Sequence, residues 1–167
     1  MQAVHGEAPS RLTHVDEQGR VRMVDVSEKE ASSRFARASA RLRMQAATLQ
    51  LVRDGATKKG DVLATARLAG IQAAKRTWEL IPLCHAIALS GVELELALDD
   101  TLPGIRVEAR ARTVERTGVE MEALVAVSVA GLTLYDMLKA VDRGMVLEQV
   151  QLEEKSGGRL GDFKRGS

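Results

Sequence analysis

The sequence predicts an α+β fold in which helices pack on one face of an antiparallel sheet. Residues 92–98 and 105–111 alternate apolar with mostly charged side chains on either side of a turn at residues 99–104. This pattern is typical of an antiparallel hairpin with one buried and one exposed face. Residues 119–142 are apolar nearly all round and predict a long helix buried on both sides. Because the helices do not alternate regularly with the strands, a parallel sheet is disfavoured.

The other elements are predicted from the same periodicities. Residues 20–26 predict a short strand, and Ser27 placed three residues before Glu30 predicts one helical turn. Residues 34–44 fit both a helix and a strand, but the longer match is to a period of two, which favours a strand. The sequence further predicts helices over 45–53, with Asp54-Gly55 as the C-cap, and over about 61–76, where Gly70 permits close approach, and a last strand over about 145–152.

Length and composition indicate one globular domain. The chain has 167 residues, 45% of them apolar and 28% charged, with a formal net charge of +1. This charge disfavours indiscriminate binding to nucleic acid or anionic membrane, and the 2% aromatic content disfavours a base-stacking surface. We expect a mobile arm over residues 1–18 and a single domain over residues 19–167 with a flexible tail from residue 155. With so few large side chains, the domain is expected to oligomerise.

The same sequence favours a cytoplasmic location. Residues 1–19 contain no apolar core of signal-peptide length, and we find no window that approaches the roughly 18 apolar residues of a membrane span. The single cysteine, Cys84, excludes an intrachain disulfide and fits a reducing compartment.

Two short segments could bind anions. Residues 57–61 place Lys58, Lys59 and a glycine directly before a helix, where backbone N–H groups favour an anion. The same lysines could equally be solvated loop residues. In the second segment, Lys155 precedes Ser156 and two glycines, which could curl into an anion-binding nest or simply form a frayed chain end.

Three further positions could take part in catalysis. Asp136 and Lys139 lie three residues apart on the long helix, so they form either a surface ion pair or a proton-transfer pair in a cleft. His85 ends an apolar run and is either a core histidine or a pocket residue. Glu120 and Glu122 fit the first turn of the long helix, where acids favour the helix dipole, and we expect them to point in different directions. No second histidine or cysteine at metal-ligand spacing accompanies His85, so a zinc site is not expected.

Four long motifs resemble the MoaC family of molybdenum cofactor biosynthesis. They are LTHVDEQGRVRMVDVS, KGDVLATARLAGIQAAKRTWELIPLCH, TGVEMEALVAVSVAGLTLYDMLKAVDRGM and KSGGRLGDF, and the resemblance runs from about Leu12 to Phe163. It implies a ferredoxin-like subunit in a homo-hexamer, a trimer of dimers with active sites between subunits. It also implies conversion of 3′,8-cyclo-7,8-dihydro-GTP, supplied by a radical GTP cyclase, to cyclic pyranopterin monophosphate with release of pyrophosphate. No cofactor is implied, although Mg²⁺ could accompany the triphosphate.

The resemblance also assigns residues. The implied catalytic residues are Asp136, Lys139, Lys59 and Lys155, and the implied substrate-binding residues are Arg34, Leu83, Cys84, His85, Glu120, Met121 and Glu122. The chain departs from the family pattern at Ala86, where a proline usually follows the histidine; this frees one φ angle and restores an N–H group. A regulatory nucleotide binder and a structural assembly protein are the competing classes, and neither needs the Asp136–Lys139 pair for proton transfer.

Overall fold

The structure is a computed structural model that describes residues 18–57, 60–158 and 161–166. The elements within these ranges are, in chain order, β1 (Ser32–Arg43), α1 (Ala46–Arg53), α2 (Val62–Ala74), α3 (Thr77–Leu80), β2 (Gly91–Asp99), β3 (Gly104–Glu115), α4 (Glu120–Leu138), β4 (Val146–Ser156) and β5 (Phe163–Lys164). The strands form one antiparallel sheet in the order β2-β3-β1-β4-β5. The predicted α+β fold of ferredoxin-like type is confirmed.

Small side chains on the two central strands form the floor of the core. On β1, Ala36, Ala38 and Leu42 are fully buried, and they pair with buried residues of β3. Above them α4 presents its own buried small and branched residues, which are Ala123, Ala126, Val127, Ala130 and Leu134. Because most of the facing side chains are small, the helix lies close to the sheet, and burial of each branched side chain contributes about 1.5–3 kcal/mol.

The opposite face of the sheet is charged, as the alternation in the hairpin predicts. Arg110 on β3 contacts Glu95 on β2 at 2.8 Å, and Arg112 contacts Glu93 at 3.1 Å. Since the side chains of these pairs are partly or largely exposed, each pair contributes little to the free energy of unfolding.

A close helix crossing fixes the direction of α2. A Cβ atom on Gly70 would lie 2.8 Å from the Ala126 carbonyl oxygen and 3.2 Å from the Ala130 Cβ atom, so α2 crosses α4 near the middle of both helices. This confirms the role predicted for Gly70. The chain then continues through α3 to Cys84, which interacts with Glu122 at the start of α4. The two helices are therefore antiparallel, and α2 begins near the end of α4.

The end of α4 is set by Asp142, which is 2% exposed. Its carboxylate accepts hydrogen bonds from the backbone N–H of Gln45 at 2.9 Å, the Thr48 hydroxyl at 3.2 Å and the backbone N–H of Gly144 at 3.0 Å. Asp142 thereby supplies the acceptor at the start of α1, whose own N-cap side chain makes no capping bond. The chain must leave the helix after Leu138 to make these bonds, so α4 is shorter than predicted.

The strand and the helical turn predicted at the start of the domain are both wrong. Residues 20–26 contain only an isolated bridge at Val21, because they do not join the five-stranded sheet. The Ser27 backbone N–H and hydroxyl both donate to the Asp25 carboxylate, at 2.9 and 2.7 Å. This local turn competes with the predicted capping box and replaces it.

Other elements also differ from the sequence-based predictions. Strand β4 continues to Ser156, four residues beyond its predicted end, and the short elements α3 and β5 were not predicted. The predicted mobile arm lies almost entirely in residues 1–17, outside the described residues, and remains a prediction.

Helix α4 is long and apolar enough, by length and composition, to cross a membrane. The expectation that no segment approaches that limit is therefore wrong. However, half of this segment is buried inside the domain, and its buried residues belong to the core described above. We therefore interpret α4 as the central core helix.

Candidate active site

A cleft lies where α4 begins, beside the end of β4, and consists of two adjoining cavities. One has a volume of about 240 Å³ and the other about 370 Å³. Four residues line both cavities: Lys29, Thr117, Gly118 and Glu120. The shared wall makes the two cavities compartments of one site.

The smaller cavity, here called the cationic compartment, is rich in positive charge. Its lining includes Lys29, Arg34, Arg116 and Lys155, against the single carboxylate of Glu120 among the described lining residues. The Lys155 ammonium lies 3.3 Å from the Glu120 carboxylate, and both side chains are mostly shielded from solvent. Such a group of cations is suited to bind a phosphate-rich ligand.

Two bulges in the β1–β4 pairing bring Lys155 to this compartment. The register shifts between Arg37 and Ala38 and again between Ser39 and Arg41. Extended without interruption from the Leu42–Leu147 pair, the register would place Glu153 opposite Ala36, whereas the observed partner of Ala36 is Lys155. Because Ala36 faces the helices, its cross-strand neighbour points to the same side. The bulges therefore put a cation at a position where an acid would otherwise lie.

The glycine pair after Lys155 is required by its surroundings. Gly157 and Gly158 have φ angles of 87° and 92°, which side-chain-bearing residues rarely adopt. A Cβ atom on Gly158 would overlap the guanidinium of Arg34, and one on Gly157 would overlap the Ser33 carbonyl oxygen. The Gly157 N–H donates to the Asp162 carboxylate at 3.1 Å. In the predicted anion-binding nest, this N–H group therefore already binds a carboxylate of the same chain.

The larger cavity, here called the apolar compartment, is lined mainly by uncharged side chains around one buried acid. Besides the four shared residues it is lined by Val24, Val26, Leu83, Cys84, His85, Ile87, Met121 and Glu122. Glu122 is 3% exposed, and its burial, with the charge of Glu120 adding to it, raises its pKa to about 7. Burial also raises the pKa of the Cys84 thiol, with a further contribution from Glu122. At neutral pH the thiol is therefore protonated and Glu122 can both give and take a proton.

Glu120 and Glu122 point in different directions, as predicted, yet both reach the cleft. The Glu120 carboxylate turns back over Gly118 toward Lys155, whereas Glu122 enters the buried side of the apolar compartment.

His85 is held by the segment that precedes β1. Its Nε2 atom lies 2.9 Å from the carbonyl oxygen of Val24. A carbonyl can only accept a hydrogen bond, so Nε2 carries the proton and donates it, which leaves Nδ1 as the second polar atom of the ring. The residues wrongly predicted as a strand thus form one wall of the cleft and orient the histidine.

Asp136 and Lys139 lie at the other end of α4. They form an ion pair at 2.6 Å, with side chains 60% and 52% exposed, so the pair is not buried as the apolar helix had indicated. The hydrogen bond and charge of Asp136 raise the pKa of Lys139, which keeps the ammonium protonated. Asp136 lies fourteen positions after Glu122, which corresponds to about 21 Å along a helix. Within one subunit these two acids therefore cannot contact the same atom of a ligand.

Comparison with known proteins identifies the family. The model of the MoaC family matches residues 23–158, which is most of the chain. The chain belongs to the MoaC family. Two similar relatives are both named cyclic pyranopterin monophosphate synthase. The protein from Thermomicrobium roseum is 58% identical over 156 residues, covering 93% of this chain and 94% of its own. The protein from a Methylobacterium species (strain 4-46) is 60% identical over 152 residues, covering 91% of this chain and 95% of its own.

Most of the residues that the MoaC resemblance assigned converge in the cleft. Arg34, Lys155 and Glu120 line the cationic compartment, and residues 83–85 and 120–122 line the apolar one. Asp136 and Lys139 are brought together with each other but not with this cleft. Lys59 lies outside the described residues. The functional roles of all these residues remain predictions.

Sequence reasoning missed three polar residues among those that line this MoaC cleft. Lys29 follows the Asp25–Ser27 turn, while Arg116 and Thr117 lie between β3 and α4. A basic residue three positions before the predicted start of the long helix was the available signal for Arg116, because ligand-binding residues often lie in the loops between elements. No local pattern distinguished Lys29 from an ordinary surface lysine.

Proposed function

We propose that this chain is a cyclic pyranopterin monophosphate synthase. In this proposal it converts 3′,8-cyclo-7,8-dihydro-GTP to cyclic pyranopterin monophosphate and pyrophosphate, an early step of molybdenum cofactor biosynthesis. Membership of the MoaC family and the names of the two relatives support it. The structural observation that carries it is the joining of a cationic compartment to an apolar one. A nucleotide-derived substrate has the same two parts.

The cationic compartment is suited to the triphosphate. To close a cyclic phosphate, a substrate hydroxyl oxygen forms a bond to the α-phosphorus, and the bond from that phosphorus to the pyrophosphate oxygen breaks. The hydroxyl proton passes to a base, and negative charge develops on the departing pyrophosphate. Positioned cations stabilise that charge. Lys29, Arg34, Arg116 and Lys155 would supply it here.

The apolar compartment is suited to the ring system. Its uncharged walls bury a planar heterocycle, and Glu122, with a pKa of about 7, can exchange protons with ring nitrogens near neutrality. His85 would bind the ligand through Nδ1 while Val24 holds Nε2. We assign Cys84 to substrate contact and not to nucleophilic attack, because burial raises the pKa of its thiol.

The Asp136–Lys139 pair would move protons during opening and closure of the rings. For this the pair must face a cleft that is about 21 Å away in its own subunit. Helix α2, which follows the segment containing Lys59, begins near the same end of α4. We therefore propose that one subunit contributes the cleft and another contributes Asp136, Lys139 and Lys59, in a homo-hexamer built as a trimer of dimers.

We also propose that the enzyme acts in the cytoplasm on substrate from a radical GTP cyclase and carries no resident metal. The described residues include no group of three histidine, cysteine, aspartate or glutamate side chains that could hold a metal ion. Metal analysis of the purified protein tests this part of the proposal.

The function is tested by incubating the pure protein anaerobically with 3′,8-cyclo-7,8-dihydro-GTP. We expect equal amounts of pyrophosphate and of a pterin that fluoresces after oxidation. Ligand binding without either product would contradict the synthase and favour a regulatory binder.

The role of Asp136 is tested by Asp136→Asn. We expect turnover to fall by about 10²–10⁴-fold, because this range is typical for loss of a positioned acid or base. Asp100→Asn is a matched control, since Asp100 is an exposed acid that pairs with Arg53 away from the cleft. A fully active Asp136→Asn protein would exclude the assigned role while leaving the proposed reaction standing.

A further inference from the structure

Glu120 is an acid that lies between the two compartments. An acid is not expected beside a group of cations that is suited to bind phosphate. Glu120 is the carboxylate among the described residues lining the cationic compartment, and it pairs with Lys155 at 3.3 Å. An acid in a phosphate site repels the ligand, so its presence there opposes binding. The same residue also lines the apolar compartment.

The backbone accommodates this arrangement at Gly118. A Cβ atom at Gly118 would lie 2.7 Å from the Cδ atom of Glu120 and closer still to one carboxylate oxygen. The Glu120 side chain is thus folded back over a residue that has no side chain, in the loop that leads into α4. Any larger residue at position 118 would displace the Glu120 carboxylate from this position.

Resting on the function proposed above, we infer that Glu120 is a placeholder for substrate phosphate. Before the triphosphate binds, its carboxylate holds Lys155 in the cationic compartment. When the triphosphate enters, a phosphate oxygen replaces the carboxylate at Lys155, and Glu120 turns toward the apolar compartment. Lys155 is thereby kept in position without a ligand, since a mostly buried ammonium would otherwise lack a partner.

The exchange couples the two compartments. The charge of Glu120 contributes to the raised pKa of Glu122, so moving Glu120 changes the protonation of the buried acid beside the ring-binding walls. Binding of the triphosphate would thus change the protonation of Glu122, the proton-transfer group of the apolar compartment.

Binding of inorganic tripolyphosphate to the full-length protein, measured by calorimetry at fixed salt, tests the inference without catalysis. We expect Glu120→Gln to bind about three- to tenfold tighter than the unmodified protein, the size expected for release of one partly shielded ion pair. Glu79→Gln, which removes an exposed acid on α3, is the matched control and should leave the affinity unchanged.

A double-mutant cycle separates the placeholder from simple repulsion. If Glu120 acts through Lys155, the gain from Glu120→Gln disappears when Lys155→Ala is present. An equal gain in both backgrounds would overturn the inference. Gly118→Ala supplies a second variant, because its methyl group displaces the Glu120 carboxylate without changing net charge, and it should also tighten binding.

The remaining outcomes distinguish this inference from the proposed function. Tripolyphosphate that binds equally to the unmodified and Glu120→Gln proteins overturns the placeholder alone. Absence of binding to every variant would contradict the phosphate role of the cationic compartment and the inference with it.

Discussion

Glu122 illustrates at the scale of one residue how the fold changes chemistry. An acid in the first turn of a helix is ordinarily exposed and ionised, but this one is buried and lines the same cavity as Cys84. Burial raises its pKa to about 7. Between its ordinary value of 4.5 and about 7, the folded protein therefore holds a proton that the unfolded chain has released. Linkage then requires that the free energy of unfolding falls as the pH rises through this window.

This predicts that Glu122→Gln removes a pH dependence of stability. At pH 8 the variant should have a higher free energy of unfolding than the unmodified protein, by up to about 3 kcal/mol, because glutamine avoids burying a charge. At pH 5 the two proteins should be nearly equal. Urea unfolding at both pH values and one protein concentration measures this, with Glu79→Gln as the control. A difference of the same size at pH 5 and pH 8 would contradict a titrating Glu122.

Single residues were predictable from the sequence where a long motif marked them. Lys155, His85 and the Glu120–Glu122 turn reach the cleft as the MoaC resemblance implies. Lys29 was not predictable, because only tertiary folding brings this basic residue to the cavity that Arg116 and Lys155 also line. The hydrogen bond from His85 to the Val24 carbonyl oxygen was also not predictable, since every residue has a backbone carbonyl and the sequence does not show which one a side chain binds.

At the scale of elements, the antiparallel α2–α4 crossing depends on Gly70. A methyl group there would lie 2.8 Å from the Ala126 carbonyl oxygen, and a helix backbone cannot move away cheaply. We predict that Gly70→Ala lowers the free energy of unfolding by about 1–2 kcal/mol, because overpacking outweighs the gain of about 1 kcal/mol in helix propensity. Chemical denaturation measures the change.

Gly131 offers a matched control for this prediction. Like Gly70 in α2 it lies inside a helix, here α4, but its Cβ atom would meet only the side chain of Leu147, which can rotate. Gly131→Ala gains the same helix propensity and should be close to neutral. If the two variants were equally stable, the close crossing at Gly70 would not limit the packing of α2.

Elements were predictable where the periodicity extended over several residues. The alternation in β2 and β3 and the apolar length of α4 identified them correctly, although α4 ends early because Asp142 binds the start of α1. Residues 20–26 alternate as well, but a strand exists only with a neighbour, and these residues do not join the sheet. The bulges that turn Lys155 toward the cleft were likewise not visible in the sequence, because they depend on pairing between distant strands.

At the scale of the whole molecule, the predicted site residues form two groups about 21 Å apart. The cleft contains Lys155 and Glu122, while Asp136 and Lys139 lie exposed at the far end of α4. A sequence shows which residues a site needs but not whether one subunit can bring them together. In a single chain of this conformation the length of α4 keeps the two groups apart, so we propose that a second subunit supplies one of them if both act on one substrate.

Subunit complementation tests this requirement directly. Lys155→Ala damages the cleft and Asp136→Asn damages the opposite end of α4, so each variant alone should be nearly inactive. In a mixture refolded or co-expressed in equal amounts, some sites would combine an intact cleft from one variant with an intact Asp136 from the other. Random pairing predicts that about one quarter of the sites are complete, so about one quarter of the unmodified activity should return.

The control mixture combines two variants of the same half, Lys155→Ala and Arg34→Ala, in which no pairing restores an intact cleft. It should stay inactive. If the Lys155→Ala and Asp136→Asn mixture also stayed inactive while forming mixed oligomers, both groups would have to act within one subunit. Helix α4 would then have to rearrange on substrate binding, because in its present form it separates Glu122 from Asp136 by fourteen residues of continuous helix.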